Sequence, residues 1–210
     1  MTVRIVLADD MDLALEGMHA ILRQDDSFQV VGTYRLLSEM LLALSNLRPD
    51  VILVGDKLEP GLDVLALVER IRPAAPRARI LILSSLSDGL IVQELFAMGM
   101  AGYLYKSDAL SRYLAEAIRT VLRGRPYLSP SANAEYLLAM QSDRAGWRLD
   151  TEAREILRQL SQGCRPQEIA LLRNVSVRRV YWVQEKLRNR FGAETNEQLM
   201  VRAAEEGFLA

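Results

Sequence analysis

Five short apolar runs punctuate the first part of the chain: RIVLA (4–8), FQVVG (28–32), VILVG (51–55), RILIL (79–83) and GYLY (102–105). Segments with helical spacing lie between them. The clearest is the stripe Leu110, Leu114, Ala117, Ile118 and Val121, at steps of three and four. Strand and helix alternating in this way predict an α/β domain with a five-stranded parallel sheet. The runs are apolar at nearly every position rather than at every second one, which suits a sheet covered on both faces.

The pattern changes at residue 126. PYLSPSANAEYLLAMQSDRAGW (126–147) surrounds one short apolar piece, EYLLAM, with prolines and small residues. It reads as a linker carrying a helix, or as a helix packed back on the first domain. From Leu149 onward every segment is helical in pattern. TEAREILRQLSQG opens on a capping Thr and ends at Gly163. PQEIALL places Pro166 in a first turn. NVS is a turn with Ser176 as N-cap, VRRVYWVQEKLRNRFG runs to Gly192, and a last helix starts near Thr195 and Asn196. Two short helices across a tight turn make a helix-turn-helix. The expected organisation is therefore an α/β domain over 1–125, a linker with a helix over 126–147, and an all-α domain over 148–210.

Composition narrows the function classes. Half of the residues are apolar and a quarter charged, as in ordinary globular domains. The net charge of −1 gives no global field toward nucleic acid or membrane. The sign is uneven, however: residues 1–130 hold 14 Lys/Arg against 16 Asp/Glu, and residues 148–210 hold 11 against 9. Cys164 is the only cysteine, so an internal disulfide and a Cys-rich zinc site are excluded and a reducing compartment fits. His19 is the only histidine and lies in an apolar helical pattern, where a surface or half-buried helix residue is the expected role. That argues against a Ser-His-Asp enzyme, and no enzyme is expected. With no 18-residue apolar run and no basic-apolar leader, a cytoplasmic protein without membrane partners is expected.

In parallel α/β sheets, chemistry gathers at the carboxyl ends of the strands. Asp9 and Asp10 follow the first run, Asp56 the third, Ser84 and Ser85 the fourth, and Lys106 the fifth. Clustered carboxylates repel unless a cation joins them, and hard oxygen ligands suit Mg²⁺. A carboxylate beside Mg²⁺ can attack phosphorus, with Ser84 and Lys106 holding the phosphoryl oxygens.

On these residues the chain resembles two-component response regulators of the NarL/FixJ type. RIVLADDMDLALEGMHAIL looks like the first strand, acidic pair and first helix of their flavodoxin-like receiver domain. GYLYKSDAL looks like its fifth strand and lysine, Lys106. Gly163, Glu168-Ile169-Ala170, Ser176, Val180, Leu187 and Gly192 match the spacing of the LuxR-type four-helix domain. The resemblance implies a sensor histidine kinase that phosphorylates an aspartate after the third strand. It places Asp9, Asp10 and Asp56 on Mg²⁺, and makes Ser84, Tyr103 and Lys106 the phosphoryl-binding and switch residues. It also implies a homodimer on double-stranded DNA, in contact with RNA polymerase. The helix after the turn would meet DNA through Ser176, Arg178, Arg179, Tyr181, Trp182, Glu185, Lys186 and Arg190.

Several positions depart from that pattern. Arg179-Val180-Tyr181 stands where Thr, Val and Lys are frequent, Glu152-Ala153 where Arg-Glu is usual, and Arg173 at a usually apolar position. Trp182 and Glu185 take places that are often small or basic. The third strand departs most. In PDVILVGDKLEPG (49–61), counting from Pro49-Asp50 puts the acceptor at Gly55, and counting back from Pro60-Gly61 puts it at Asp56. A one-residue slip turns a side chain to the opposite face of a sheet, whereas a bulge at Gly55 would return Asp56 to the site. Two alternatives to the phosphorylated regulator follow. One is a phosphorylation-independent transcription factor answering to a ligand or partner protein. The other is a protein-interaction regulator that has lost DNA.

Overall fold

The computed structural model describes residues 2–59, 62–86, 89–141, 149 and 151–209. The strands are β1 (Val3–Ala8), β2 (Phe28–Tyr34), β3 (Val51–Gly55), β4 (Arg79–Ser84), β5 (Gly102–Tyr105) and β6 (Tyr127–Leu128). The first five helices are α1 (Asp12–Leu22), α2 (Leu37–Leu47), α3 (Val64–Ala74), α4 (Gly89–Ala97) and α5 (Leu110–Leu122). The sheet is parallel, in the order β2-β1-β3-β4-β5-β6. It has six strands where the apolar runs predict five. The sixth is two residues long, pairs with β5 alone, and falls at the start of the expected linker, where so short a run leaves no periodicity to read.

Helices cover both sheet faces, which is why every β3 side chain is buried. Ile5, Leu7, Val51, Leu53, Leu81 and Leu83 pack with α1 and α5. Val6, Ala8, Ile52, Val54, Ile80 and Ile82 pack with α2, α3 and α4. This alternation decides which face each strand-end residue inherits.

After β6 comes α6 (Pro130–Met140), opened by a proline in its first turn. It lies so close to α4 that a Cβ on Gly89 would come 2.2 Å from the Glu135 carbonyl oxygen. The helix expected in the linker is present and packs on the first domain; residues 142–147 of the linker lie outside the described residues. Four further helices complete the chain: α7 (Thr151–Ser161), α8 (Pro166–Arg173), α9 (Val177–Phe191) and α10 (Asn196–Glu205). Ser176 caps α9 by accepting the Arg179 N–H, and Thr195 caps α10 by accepting that of Gln198. Gly163 and Gly192 adopt the positive φ that ends a helix. The apolar core on the α2–α4 side continues without a break into Leu149, Ala153, Ile156 and Leu157, so the C-terminal helices pack on the receiver-like layer.

Candidate functional site

Asp9, Asp56, Ser84 and Lys106 meet at the carboxyl edge of the sheet. Asp9 is completely buried; its Oδ1 accepts the Met11 N–H at 3.0 Å. The Lys106 ammonium lies 2.9 Å from Asp9 Oδ2 and 3.6 Å from Asp56 Oδ1, bridging the two carboxylates. Asp56 is 6% exposed. Its Oδ2 accepts a 2.6 Å bond from the Ser84 hydroxyl and a 3.3 Å bond from the Ser85 N–H. Asp10 is exposed.

The extra residue is not absorbed by a bulge. β3 pairs residue for residue with β1 and with β4, through Gly55↔Leu83. Asp56 nevertheless reaches the site. Alternation carries residue 55 to the α1–α5 side, where Asp9 lies, and residue 56 to the α2–α4 side, where Ser84 lies. Slip and site are therefore compatible, because Lys106 spans both sides. Glycine at 55 is what permits this: a Cβ there would fall 2.2 Å from Asp9 Oδ2. The Asp9 carboxylate fills the space of the missing side chain. The Pro60-Gly61 anchor of the downstream count lies outside the described residues.

Beyond Ser84, the hydroxyl also accepts the Leu86 N–H at 2.9 Å, and Tyr103, fully buried, donates its hydroxyl to the Leu86 carbonyl. Leu86 then touches the C-terminal helices: a Cβ on Gly207 would lie 2.3 Å from Leu86 Cδ1. Two more links join the layers. Glu94 of α4, 3% exposed, accepts the Leu149 N–H at 2.9 Å, and Arg154 of α7 pairs with Glu69 of α3. Leu86, Glu94 and Gly207 escaped the sequence reading. Glu94 had a signal, a single charge in the otherwise apolar GLIVQELFA.

On α9, Val180, Val183, Gln184, Leu187, Arg190 and Phe191 form the buried stripe. Arg178, Arg179, Tyr181, Trp182, Glu185 and Lys186 face solvent together. Arg190 is the exception among the expected DNA contacts. Helical spacing places it on the inner stripe, with its guanidinium 5.8 Å from the Phe191 ring and 5.7 Å from the Phe208 ring. Two departures from the family pattern explain each other: Glu152 accepts from Arg179 Nε at 3.1 Å and from Nη2 at 2.6 Å. The Arg179 guanidinium holds the Glu152 carboxyl below the ordinary Glu range. Arg179 also lies 4.4 Å over the Trp182 ring, with Lys186 Nζ at 5.7 Å from it. Arg173 is half-buried, 4.0 Å from Glu155 Oε1. The lone His19 bonds Thr33 Oγ1 at 2.9 Å.

A doubly covered parallel sheet with acids, hydroxyl and lysine at one edge, joined to a four-helix unit containing a helix-turn-helix, defines the architecture of a signal-receiving regulator. A family model described as the response regulator receiver domain matches residues 5–119, over half of the chain. The chain belongs to that family and is a response regulator, as the NarL/FixJ resemblance implies. GacA of Pseudomonas protegens, a response regulator, is 31% identical over 61% of this chain, but the match spans 59% of GacA. NreC of Staphylococcus aureus, an oxygen regulatory protein, is 28% identical over 99% of both chains. RcsB of Salmonella enterica serovar Typhimurium, solved on a promoter with the phosphomimetic BeF₃⁻, superposes with a TM-score of 0.70 at 20% identity, covering 97% of this chain and 99% of its own.

Receiver domains of this family generally hold Mg²⁺ at the acidic edge. Among the described residues no three acidic, His or Cys side chains gather to hold a metal. Asp9 Oδ2 and Asp56 Oδ1 are buried without a hydrogen-bond partner, 2.9 and 3.6 Å from the Lys106 ammonium, so Asp9 and Asp56 are the residues that would hold a cation here. Among the described residues, no helix is long and apolar enough to cross a membrane.

Proposed function

We propose that this chain is a transcriptional regulator that binds double-stranded DNA through α8 and α9 under the control of its receiver. One observation carries the reading: a single face of α9, capped by Ser176, presents Arg178, Arg179, Tyr181, Trp182 and Lys186 outward while the opposite stripe is buried. Such a helix supplies cations to phosphates and side chains to base edges in the major groove. A homodimer on paired half-sites follows from the symmetry of DNA operators. Selection of bound fragments from genomic DNA, followed by titration in rising salt, tests this. Affinity should fall steeply with salt, and Arg178→Ala should weaken binding at every sequence. Binding too weak to detect at low salt would favour the protein-interaction reading, with Tyr181 and Trp182 as its patch.

A second reading concerns the input. Family membership points to a sensor histidine kinase upstream, but the register of this site favours control without a phosphoryl group. Gly55 offers no carboxylate at the strand-counted acceptor position, Asp9 fills its space, and Asp56 is engaged by Ser84, Ser85 and Lys106. The expected outcome is an affinity for DNA that acetyl phosphate with Mg²⁺ leaves unchanged. A phosphodonor-dependent gain in affinity would return the chain to the phosphorylated form of regulation.

A further inference from the structure

We propose that Asp56 is a positioning residue whose carboxylate, with no phosphoryl group attached, holds the residues after β4 in the geometry on which the DNA-facing helices dock. The proposal rests on the phosphoryl-independent reading and names what the acidic edge then does.

The chemistry of one hydroxyl carries the first step. Ser84 has a single proton to give, and it goes to Asp56 Oδ2 at 2.6 Å. That length belongs to a charge-assisted bond, stronger than a bond between neutral groups. The lone pairs left on the oxygen then accept the Leu86 N–H at 2.9 Å. A hydroxyl that donates to a carboxylate is polarised and accepts more strongly, so the two bonds support each other. Without the carboxylate the proton is free to rotate toward other acceptors, and the Leu86 N–H loses its fixed partner.

Leu86 is held from its other side as well, because its carbonyl accepts from the buried Tyr103 hydroxyl. Both peptide groups flanking its Cα are thereby fixed, and the side chain is aimed at Gly207. Gly207, with φ of 81°, ends α10. A Cβ at that turn would fall 2.3 Å from Leu86 Cδ1. The next residue closes the link. The Phe208 N–H bonds the Ala203 carbonyl at 2.8 Å, and its ring packs edge-on against Phe191 at 5.2 Å, at the last position of α9. Direct contacts thus run from the Asp56 carboxylate through Ser84, Leu86, Gly207 and Phe208 to the end of the helix that faces DNA. Glu94 with Leu149, and Glu69 with Arg154, tie the layers elsewhere and do not involve Asp56. Loss of the carboxylate should therefore loosen the Leu86 contact without parting the two layers.

Hydrogen exchange read by mass spectrometry on the full chain tests this. Asp56→Ala and Ser84→Ala should each speed exchange about tenfold in peptides covering 84–86 and again in peptides covering 199–209. Glu59→Gln, which alters the exposed pair with Arg70, should leave both as in the parent. Leu86→Ala keeps the acidic edge intact and should speed exchange at 199–209; it guards against acidic-edge variants that fail to fold. Unchanged exchange at 199–209 in the folded Asp56 and Ser84 variants, or in Leu86→Ala, overturns the proposal. The comparison uses protein never exposed to a phosphodonor, so its failure is separate from that of the phosphoryl-independent reading, which a phosphodonor adduct would reveal.

Discussion

Glu152 and Arg179 show how two substitutions that look unfavourable singly make sense as a pair. An acid near DNA repels phosphate, and an arginine at position 179 would bind it; joined, each cancels much of the other. Freeing the arginine should add one phosphate contact. Glu152→Gln is therefore expected to tighten binding at low salt and to steepen the slope of log affinity against log salt by about 0.9. An unchanged slope would mean that Arg179 stays on Trp182 and away from phosphate. The same pair sets a pH response. The Glu152 and Glu155 carboxyls are both held below the ordinary Glu value of 4.5, by hydrogen bonds from Arg179 and Arg158 respectively. A carboxyl with a lowered folded-state pKa stabilises the fold fully above its unfolded value and loses that contribution as pH falls through the folded one. Thermal melts of Glu155→Gln between about pH 5 and about pH 3 should accordingly change less with pH than those of the parent. Burial pushes Asp63, the N-cap of α3, the other way, so its contribution diminishes as pH rises through the carboxylate range. Arg190 is a structural residue at this scale: Arg190→Ala should lower stability by on the order of 2 kcal/mol in urea unfolding through lost packing, with no base preference altered.

At the scale of elements, β3 is the decisive segment. Its hydrophobic pattern made the strand legible, and its bounds are those of the VILVG run. The acidic edge was legible too, because strand ends in a parallel sheet converge whatever the loops do. What could not be read was the outcome of the register conflict. From the sequence, bulge and slip are opposites; the structure decides between them through Lys106, whose length lets one ammonium serve both faces, and through the space Gly55 leaves to Asp9. Arg190 carries the charge of a DNA contact, but its place in the helical period puts it on the buried stripe. β6 was too short to show any period, and Leu86 and Gly207 meet across 121 residues of chain, a contact that no local pattern announces. The account of β3 has a direct consequence. Gly55→Ala should cost about 1–3 kcal/mol of stability, because the new methyl must push Asp9 away from Lys106. A variant as stable as the parent in urea would mean that Asp9 moves aside freely and that its present position has no structural weight.

For the whole molecule, the two layers share one apolar core and are pinned by Leu86–Gly207, Glu94–Leu149 and Glu69–Arg154. At the acidic edge Asp9 Oδ2 and Asp56 Oδ1 lie buried beside the Lys106 ammonium without a hydrogen-bond partner. Under the phosphoryl-independent reading, control passes to whatever shifts that docking, a ligand or a partner protein. Intact-mass measurement after incubation with acetyl phosphate and Mg²⁺ asks whether the acidic edge takes a phosphoryl group. Under the phosphoryl-independent reading the mass should be unchanged. A gain of about 80 Da, the mass of one phosphoryl group, that disappears in Asp56→Asn would contradict it.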